Sequence, residues 1–242
     1  MKKELPDITL VMIETREHKL ARLAVEESIK KCNFGEVLIF TDKPYEFHSD
    51  WQIVQVPDWP DKLGWSRFLW QEVGSYVRTS HLLSIQWDSW VFDQEMWREQ
   101  NLDYDYVGSP WWYKDGRNVG NGGFSLRSTR LHRYLRKHRD RFPCTTNIDD
   151  DLLCRGYRPD LESRGFVWAP EILAKDFAFE LMRPSNESRH FGFHGMFNWH
   201  VVLTKDQIME RAEIAYQSDY IRKRMWKSFV DKNPEVAEKF AA

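Results

Sequence analysis

Asp149, Asp150 and Asp151 stand in a row in "NIDDDLLC" (147–154), just before an apolar stretch. Acidic side chains suit the positive N-terminal end of a helix, so the run predicts a helix starting within 147–158. The run is either that helix start alone or part of a site. A second candidate is Asp88, which ends "HLLSIQWD" (81–88) between Trp87 and Trp90. A carboxylate at the end of an apolar strand is costly to bury unless a cation, a metal or several donors compensate it. Asp88 is therefore a turn residue or part of a site. The third segment is "VGNGGFSLRS" (119–128), with three glycines around Asn121. Glycine permits positive φ and lets a ligand approach the backbone closely. This segment lacks the lysine of a phosphate-binding P-loop, its strand follows the glycines, and the spacing is not a dinucleotide fingerprint.

These groups need a scaffold to bring them together, and the first half of the chain predicts one. "ITLVMIET" (8–15), "VLIFTD" (37–42), "WQIVQV" (51–56) and "HLLSIQWD" (81–88) read as strands. Between them, Ala21, Ala24, Val25, Ile29 and Cys32 fall at helical spacing with Gly35 as the stop, and a second amphipathic helix covers Trp65 to Val77. Strands separated by helices predict a largely parallel sheet with right-handed crossovers. Ligands bind such sheets outside the carboxyl ends of the strands. Thr15-Arg16, Thr41-Asp42 and Gln86-Trp87-Asp88 are the polar residues at three of those ends.

The second half predicts a strand in "YDYVGSPWW" (104–112), another after the glycines, and a helix over 129–142 with a basic outer face. That face is a solvated surface by default, with peripheral contact to acidic lipid or acceptor as the other reading. From Thr204 onwards the pattern is helical, and Thr204 and Gln207 have capping-box spacing. The expected organisation is one α/β unit over 1–200 and a helical extension over 201–242 packed on it.

The totals fit a soluble globular chain. The 242 residues carry 35 Lys and Arg against 37 Asp and Glu, a net charge of −2, so nothing global points to nucleic acid. No apolar run approaches the ~18 residues of a membrane span. Cys32, Cys144 and Cys154 lack metal-ligand spacing and suit a reducing compartment, so a cytoplasmic location is expected.

In order along the chain, "HLLSIQWDSWV", "YDYVGSPWW", "VGNGGFSLRS", "APEILAKDFAFE" and "FGFHG" resemble a poorly characterised family of glycosyltransferase-like domains. These have the GT-A fold, a Rossmann-like α/β arrangement of nucleotide-sugar-dependent glycosyltransferases. The similarity runs over about residues 8 to 198. It implies transfer of a sugar from a nucleotide diphosphate donor, with a UDP-sugar favoured, to a glycan or other hydroxyl acceptor. It implies a divalent metal, Mn2+ or Mg2+, on the donor's diphosphate, held where Gln86-Trp87-Asp88 stands and completed by a late histidine. Asp88 and His194 match those ligands, although the first position is Gln86, a poorer ligand for a hard cation than a carboxylate. His194 also reads as a packed core histidine.

The resemblance makes Asp150 the expected base, with Asp149 as its pair, as in inverting members, and gives Asp151 to the acceptor. Thr15, Arg16 and Asp42 lie where relatives hold the nucleoside. Arg16, Lys62, Arg67 and Arg127 are cations available to phosphate, Trp87 accompanies Gln86 in the donor site, and Asn121, Gly122 and Gly123 shape the sugar pocket. Trp111 and Trp112 could stack on sugar faces and are assigned to the acceptor. The alternative reading is a non-catalytic sugar- or nucleotide-binding module of the same fold. A nucleotidyltransferase ranks last, because "IETREHKLA" lacks the glycine-rich phosphate loop.

Overall fold

A computed structural model of the chain describes residues 1–59, 61–146, 148–181 and 189–240. Six strands form the main sheet: β1 (Lys3–Ile13), β2 (Cys32–Thr41), β3 (Gln52–Gln55), β4 (His81–Ile85), β5 (Tyr106–Gly108) and β6 (Phe124–Ser128). Their order is β3-β2-β1-β4-β6-β5. The pairs β1–β2, β1–β4 and β2–β3 are parallel, and β6 runs antiparallel to both β4 and β5. This is the mixed, largely parallel α/β sheet that the alternating pattern predicts.

The reversed strand matters for the site. Ile85, the last residue of β4, pairs with Met12 near the end of β1 and with Phe124 at the start of β6. The glycine segment therefore enters β6 beside the carboxyl ends of β1 and β4. Residues 10–13 of β1 are all buried, because both faces of the sheet are covered. Leu10 and Met12 pack with Leu20, Ala24 and Val25 of α1 (His18–Lys31), whereas Val11 and Ile13 pack with Leu69 of α2 (Lys62–Gln71).

The structure corrects the first helix boundary. The helix ends at Lys31, and Cys32 to Gly35 already belong to β2. Gly35 is not a helix stop: a Cβ there would lie 2.1 Å from the Pro6 carbonyl oxygen, so the residue permits close approach of β1 and β2. The second helix is also shorter than its apolar pattern, because residues 73–75 form a separate tight turn.

After β6 come α3 (Thr129–Lys137), α4 (Asp149–Asp151), α5 (Arg158–Glu162) and α6 (Glu171–Phe177). The single turn α4 opens into a wide turn over Leu152–Gly156, where the Tyr157 N–H reaches the Leu152 carbonyl at 2.9 Å. Asn147, where the helical reading began, lies outside the described residues. A small parallel pair, β7 (Ala178–Phe179) and β8 (Gly192–Phe193), carries the chain to His194.

The remaining helices are α7 (Trp199–Val202), α8 (Lys205–Tyr216), α9 (Asp219–Arg224), α10 (Trp226–Val230) and α11 (Pro234–Phe240). Thr204 and Gln207 make the reciprocal capping box at the start of α8. The buried Arg211 of α8 holds Glu27 of α1 at 3.0 Å, and Ser218 donates to Glu17. Among the described residues no helix is long and apolar enough to cross a membrane.

Candidate active site

The turn after β4 and the glycine segment before β6 are tied together. The Gln86 N–H reaches Ser89 Oγ at 2.8 Å and the Gly123 carbonyl at 3.2 Å, and Ser89 Oγ donates to that same carbonyl at 2.6 Å. Asn121 organises the other side. Its φ of 68° is left-handed, the only such value among the described residues other than glycine. Its side-chain oxygen accepts from the N–H groups of Gly123 and Phe124 at 2.9 and 3.3 Å, and its carbonyl accepts from the Tyr106 hydroxyl at 2.8 Å. Asparagine is among the few residues that tolerate this backbone, and its amide closes the turn.

The acidic pair comes to this turn from α4. Asp150 is half-buried; its Oδ2 accepts from the Gly122 N–H at 2.8 Å and its Oδ1 from the Asp151 N–H at 3.0 Å. Asp149 points inward, with 2% of its surface exposed, and accepts from Ser66 Oγ at 3.2 Å. Burial, reinforced by the neighbouring Asp150 charge, raises the Asp149 carboxyl above its usual range, while Arg127 and Lys62 oppose the rise.

Asp88 is buried at the opposite side of the glycine turn. Its Oδ2 accepts from the Met196 N–H at 3.2 Å, whereas Oδ1 lacks a hydrogen-bond partner and stands 3.5 Å from His194 Nε2. The other ring nitrogen of His194 lies 2.8 Å from Glu180 Oε1 and 3.3 Å from Asn121 Nδ2. Burial alone would lower this imidazole, but the carboxylates of Asp88 and Glu180 outweigh it and lift it to about 10. The ring rests on Gly123, where a Cβ would come within 2.2 Å of it.

This arrangement suits a divalent cation in part. A buried carboxylate oxygen forms an ion pair with a ring nitrogen 3.5 Å away, and a second carboxylate fixes the ring through its other nitrogen, as metal-binding histidines are commonly oriented; a metal would displace the proton between Asp88 and His194. The protein contributes few ligands: among the described residues no group of three or more His, Cys, Asp or Glu side chains is arranged to hold a metal. Asp88 and His194 thus fit a two-point site that a polyanionic ligand would complete.

A cleft opens along the same ends of β1 and β4, lined by Glu14, Thr15, Arg16, Trp59, Lys62, Trp65, Gln86, Trp87 and Tyr220. Its floor is built by Glu14, whose Oε1 accepts from the N–H groups of Thr15, Arg16 and Glu17 at 2.9, 2.8 and 3.2 Å. Burial raises the Glu14 carboxyl despite these donors. Trp65 Nε1 donates to the Ile13 carbonyl at 2.9 Å, and the Arg16 guanidinium lies 5.4 Å from the centre of the Tyr220 ring.

The structure therefore brings Asp88, Asn121, Gly122, Gly123, Asp149, Asp150 and His194 around one turn, with Thr15, Arg16, Lys62, Gln86 and Trp87 along the adjoining cleft. The remaining expected residues have their own surroundings. Asp42 lies 2.6 Å from His18 Nε2, and Arg67 donates to the Cys144 carbonyl at 3.1 Å. Trp111 is buried against Gly120, Trp112 is 52% exposed, and Asp151 lies 3.6 Å from Arg155. Glu14, Trp59, Trp65, Glu180 and Tyr220 were not singled out from the sequence. Glu14 had a signal, being the first polar residue after β1, whereas Tyr220 is brought to the cleft only by the folding of the C-terminal helices.

No curated protein sequence matches the chain. Among solved structures, a galactosyltransferase, LgtC, in complex with donor and acceptor sugar analogs is similar over 90% of this chain and 100% of its own, with 13% identity and a TM-score of 0.50. At that identity the likeness concerns the fold, which is GT-A-like. The sequence of residues 50–194 matches a family that spans β3 to His194 and so includes Asp88, the glycine turn and the acidic pair. The chain belongs to this family, described as protein of unknown function (DUF5672).

Proposed function

We propose that this protein is a glycosyltransferase that moves a sugar from a nucleotide diphosphate donor, with a UDP-sugar favoured, to an acceptor hydroxyl. The observation that carries the reading is the convergence of Asp150 and the Asp88–His194 pair on the two sides of Gly122-Gly123, next to an aromatic cleft. A GT-A-like fold supports the same reading, since the similar LgtC structure holds donor and acceptor sugar analogs.

In this proposal the nucleoside lies in the cleft among Trp59, Trp65 and Tyr220, and Arg16 and Lys62 supply positive charge towards the diphosphate. Asp88 and His194 would hold Mn2+ or Mg2+, which when bound neutralises charge on the departing diphosphate. The glycine turn, free of side chains, lets the donor sugar approach the backbone. Asp150 takes the acceptor proton. Both of its oxygens already accept a backbone N–H, so the carboxylate is oriented before the acceptor arrives. A base acting directly on the acceptor corresponds to inversion at the anomeric carbon.

Gln86 in place of a carboxylate favours the second reading, a binding module that keeps the cleft without turnover. Calorimetric titration of UDP with manganese and then with chelator, followed by a screen of UDP-sugars for release of UDP, tests both. Manganese-dependent binding with turnover is expected. Binding without turnover of any donor would favour the module, and absence of UDP binding under both conditions would overturn the UDP-sugar assignment.

A further inference from the structure

Arg127 is, among the described residues, the charged side chain with none of its surface exposed. It projects from β6, the reversed strand between β4 and β5, with its guanidinium 5.2 Å from the centre of the Tyr106 ring. Nε donates to Ser125 Oγ at 2.9 Å, but Nη1 and Nη2 have no hydrogen-bond partner. The nearest carboxylate oxygen is Asp149 Oδ2, 3.9 Å from Nη2 and likewise without a partner. Burying an incompletely paired guanidinium is unfavourable, and a methionine or leucine would fill the same strand position without that penalty. Its retention in the middle of a sheet therefore calls for a reason other than packing.

Gly122 supplies the geometric link. A Cβ on it would lie 3.3 Å from Arg127 Nη2 and 3.4 Å from Asp150 Cβ, so the guanidinium and the acidic pair meet behind the glycine turn. The other titratable groups acting on Asp149 are Asp150 beside it, Lys62 of α2, Cys144 and Tyr106. Burial, with the Asp149 charge second, pushes the Cys144 thiol up to about 11, and burial pushes the Tyr106 hydroxyl well above its ordinary value. Both stay neutral near pH 7, which leaves Arg127 and Lys62 as the cations opposing the burial of Asp149.

We propose that Arg127 is a positioning residue of the acidic pair: sealed beneath the glycine turn, it holds Asp149 as an anion and thereby fixes the α4 turn from which Asp150 meets the acceptor. This rests on the reading of Asp150 as the base. Removal of the guanidinium takes away a cation that opposes the rise of the Asp149 carboxyl, favours its protonation, relaxes the α4 turn and weakens transfer. Raising the pH restores the Asp149 charge and, with it, part of the activity. A cavity or a loosened core would not recover in this way.

The test compares wild type, Arg127→Lys, Arg127→Met and Asp149→Asn in pH profiles of UDP release from a donor that wild type turns over. In parallel, carbon-detected NMR follows the titration of the Asp149 carboxyl, assigned by its loss in Asp149→Asn. The expected result is an Asp149 midpoint raised by about 1 unit or more in Arg127→Met. The acid limb of activity moves the same way, and Arg127→Lys lies near wild type. An unmoved midpoint, or a pH-independent loss of activity, would overturn the proposal. Should Arg127→Met not fold, the cycle between Arg127→Lys and Asp149→Asn decides: effects smaller in combination than their sum support action through Asp149, and additive effects overturn it. Wild type that turns over no donor would instead remove the transferase reading, an outcome separate from the NMR result.

Discussion

Asp150 Oδ2 accepts the Gly122 N–H at 2.8 Å, although the two residues are 28 positions apart. On the other flank, the ring of His194 rests on the bare Cα of Gly123. Two adjacent glycines thus stand between one carboxylate and a carboxylate–histidine pair. In the proposed transferase, that separation would let proton acceptance and leaving-group neutralisation act on opposite sides of one reacting centre.

The Asp150–Gly122 contact separates a catalytic role from a structural one. Asp150→Asn keeps an acceptor oxygen for the Gly122 N–H, sets its NH2 against the Asp151 N–H and removes the basic carboxylate. Turnover should fall by about 10²- to 10⁴-fold, with UDP affinity unchanged and a stability loss no larger than that of one hydrogen bond, about 1 kcal/mol. Asp150→Ala also removes the acceptor and should cost about 1 kcal/mol of stability in addition. Steady-state kinetics and thermal unfolding on both variants check this, and full turnover in Asp150→Asn would sink the assignment.

Gly123→Ala addresses the other flank. Its methyl would occupy space within 2.2 Å of the His194 ring, so the ring must leave its place between Asp88 and Glu180. Overpacking of this kind costs about 1–3 kcal/mol. The expected functional signature is loss of the manganese-dependent part of UDP binding while the chelator-resistant part persists. Calorimetry with and without chelator reads it directly; an unchanged response to manganese would detach His194 from the metal.

Much of this arrangement was legible in the sequence, for identifiable reasons. β1, β2 and β4 appear as apolar runs because helices cover both faces of the sheet. Asp88 and the glycine turn could be located because strand ends and glycines leave local marks. The first helix boundary is hidden in the sequence because Cys32 continues the helical spacing while pairing with Lys3 in the sheet. Glu180 and Tyr220 left no local mark, since each owes its position to a neighbour distant in sequence: His194 in the first case and Arg16 in the second. The burial of Arg127 was equally invisible, because a strand pattern does not reveal which face is sealed by a later helix.

A pH effect on stability follows from His132, which is buried against Gly74. Burial, with the nearby Arg127 charge second, lowers its imidazole from 6.5 to about 3. The folded state therefore binds this proton less readily than the unfolded state. The resulting stability is fully present above pH 6.5 and is lost progressively as pH falls towards about 3. The slope reaches at most about 1.4 kcal/mol per pH unit. His132→Leu should remove this component, so the difference in unfolding free energy between variant and wild type should change across that window and be flat above it. Denaturant titrations from pH 4 to 8 measure the difference, and a flat difference throughout would contradict the neutral burial of His132.

Tyr220 tests whether the C-terminal helices belong to the site. α9 lies outside the residues matched by the family, yet Tyr220 forms one wall of the cleft. Its ring is bracketed by Arg16 and Arg224, whose guanidinium carbons lie 5.4 and 5.6 Å from the ring centre. The ring is 37% exposed, leaving aromatic surface available to a base. If the nucleobase stacks there, Tyr220→Ala should weaken UDP binding by about 1 kcal/mol, or about fivefold. Tyr220→Phe should retain affinity, because stacking uses the ring and not the hydroxyl. Binding of inorganic pyrophosphate, which has no base, should be the same in all three proteins. Equal UDP affinity in wild type and Tyr220→Ala would assign the base to Trp59 and Trp65 and leave α9 a purely structural support for Arg16; a loss shared by pyrophosphate would trace instead to the displacement of Arg16 from the phosphate side of the cleft.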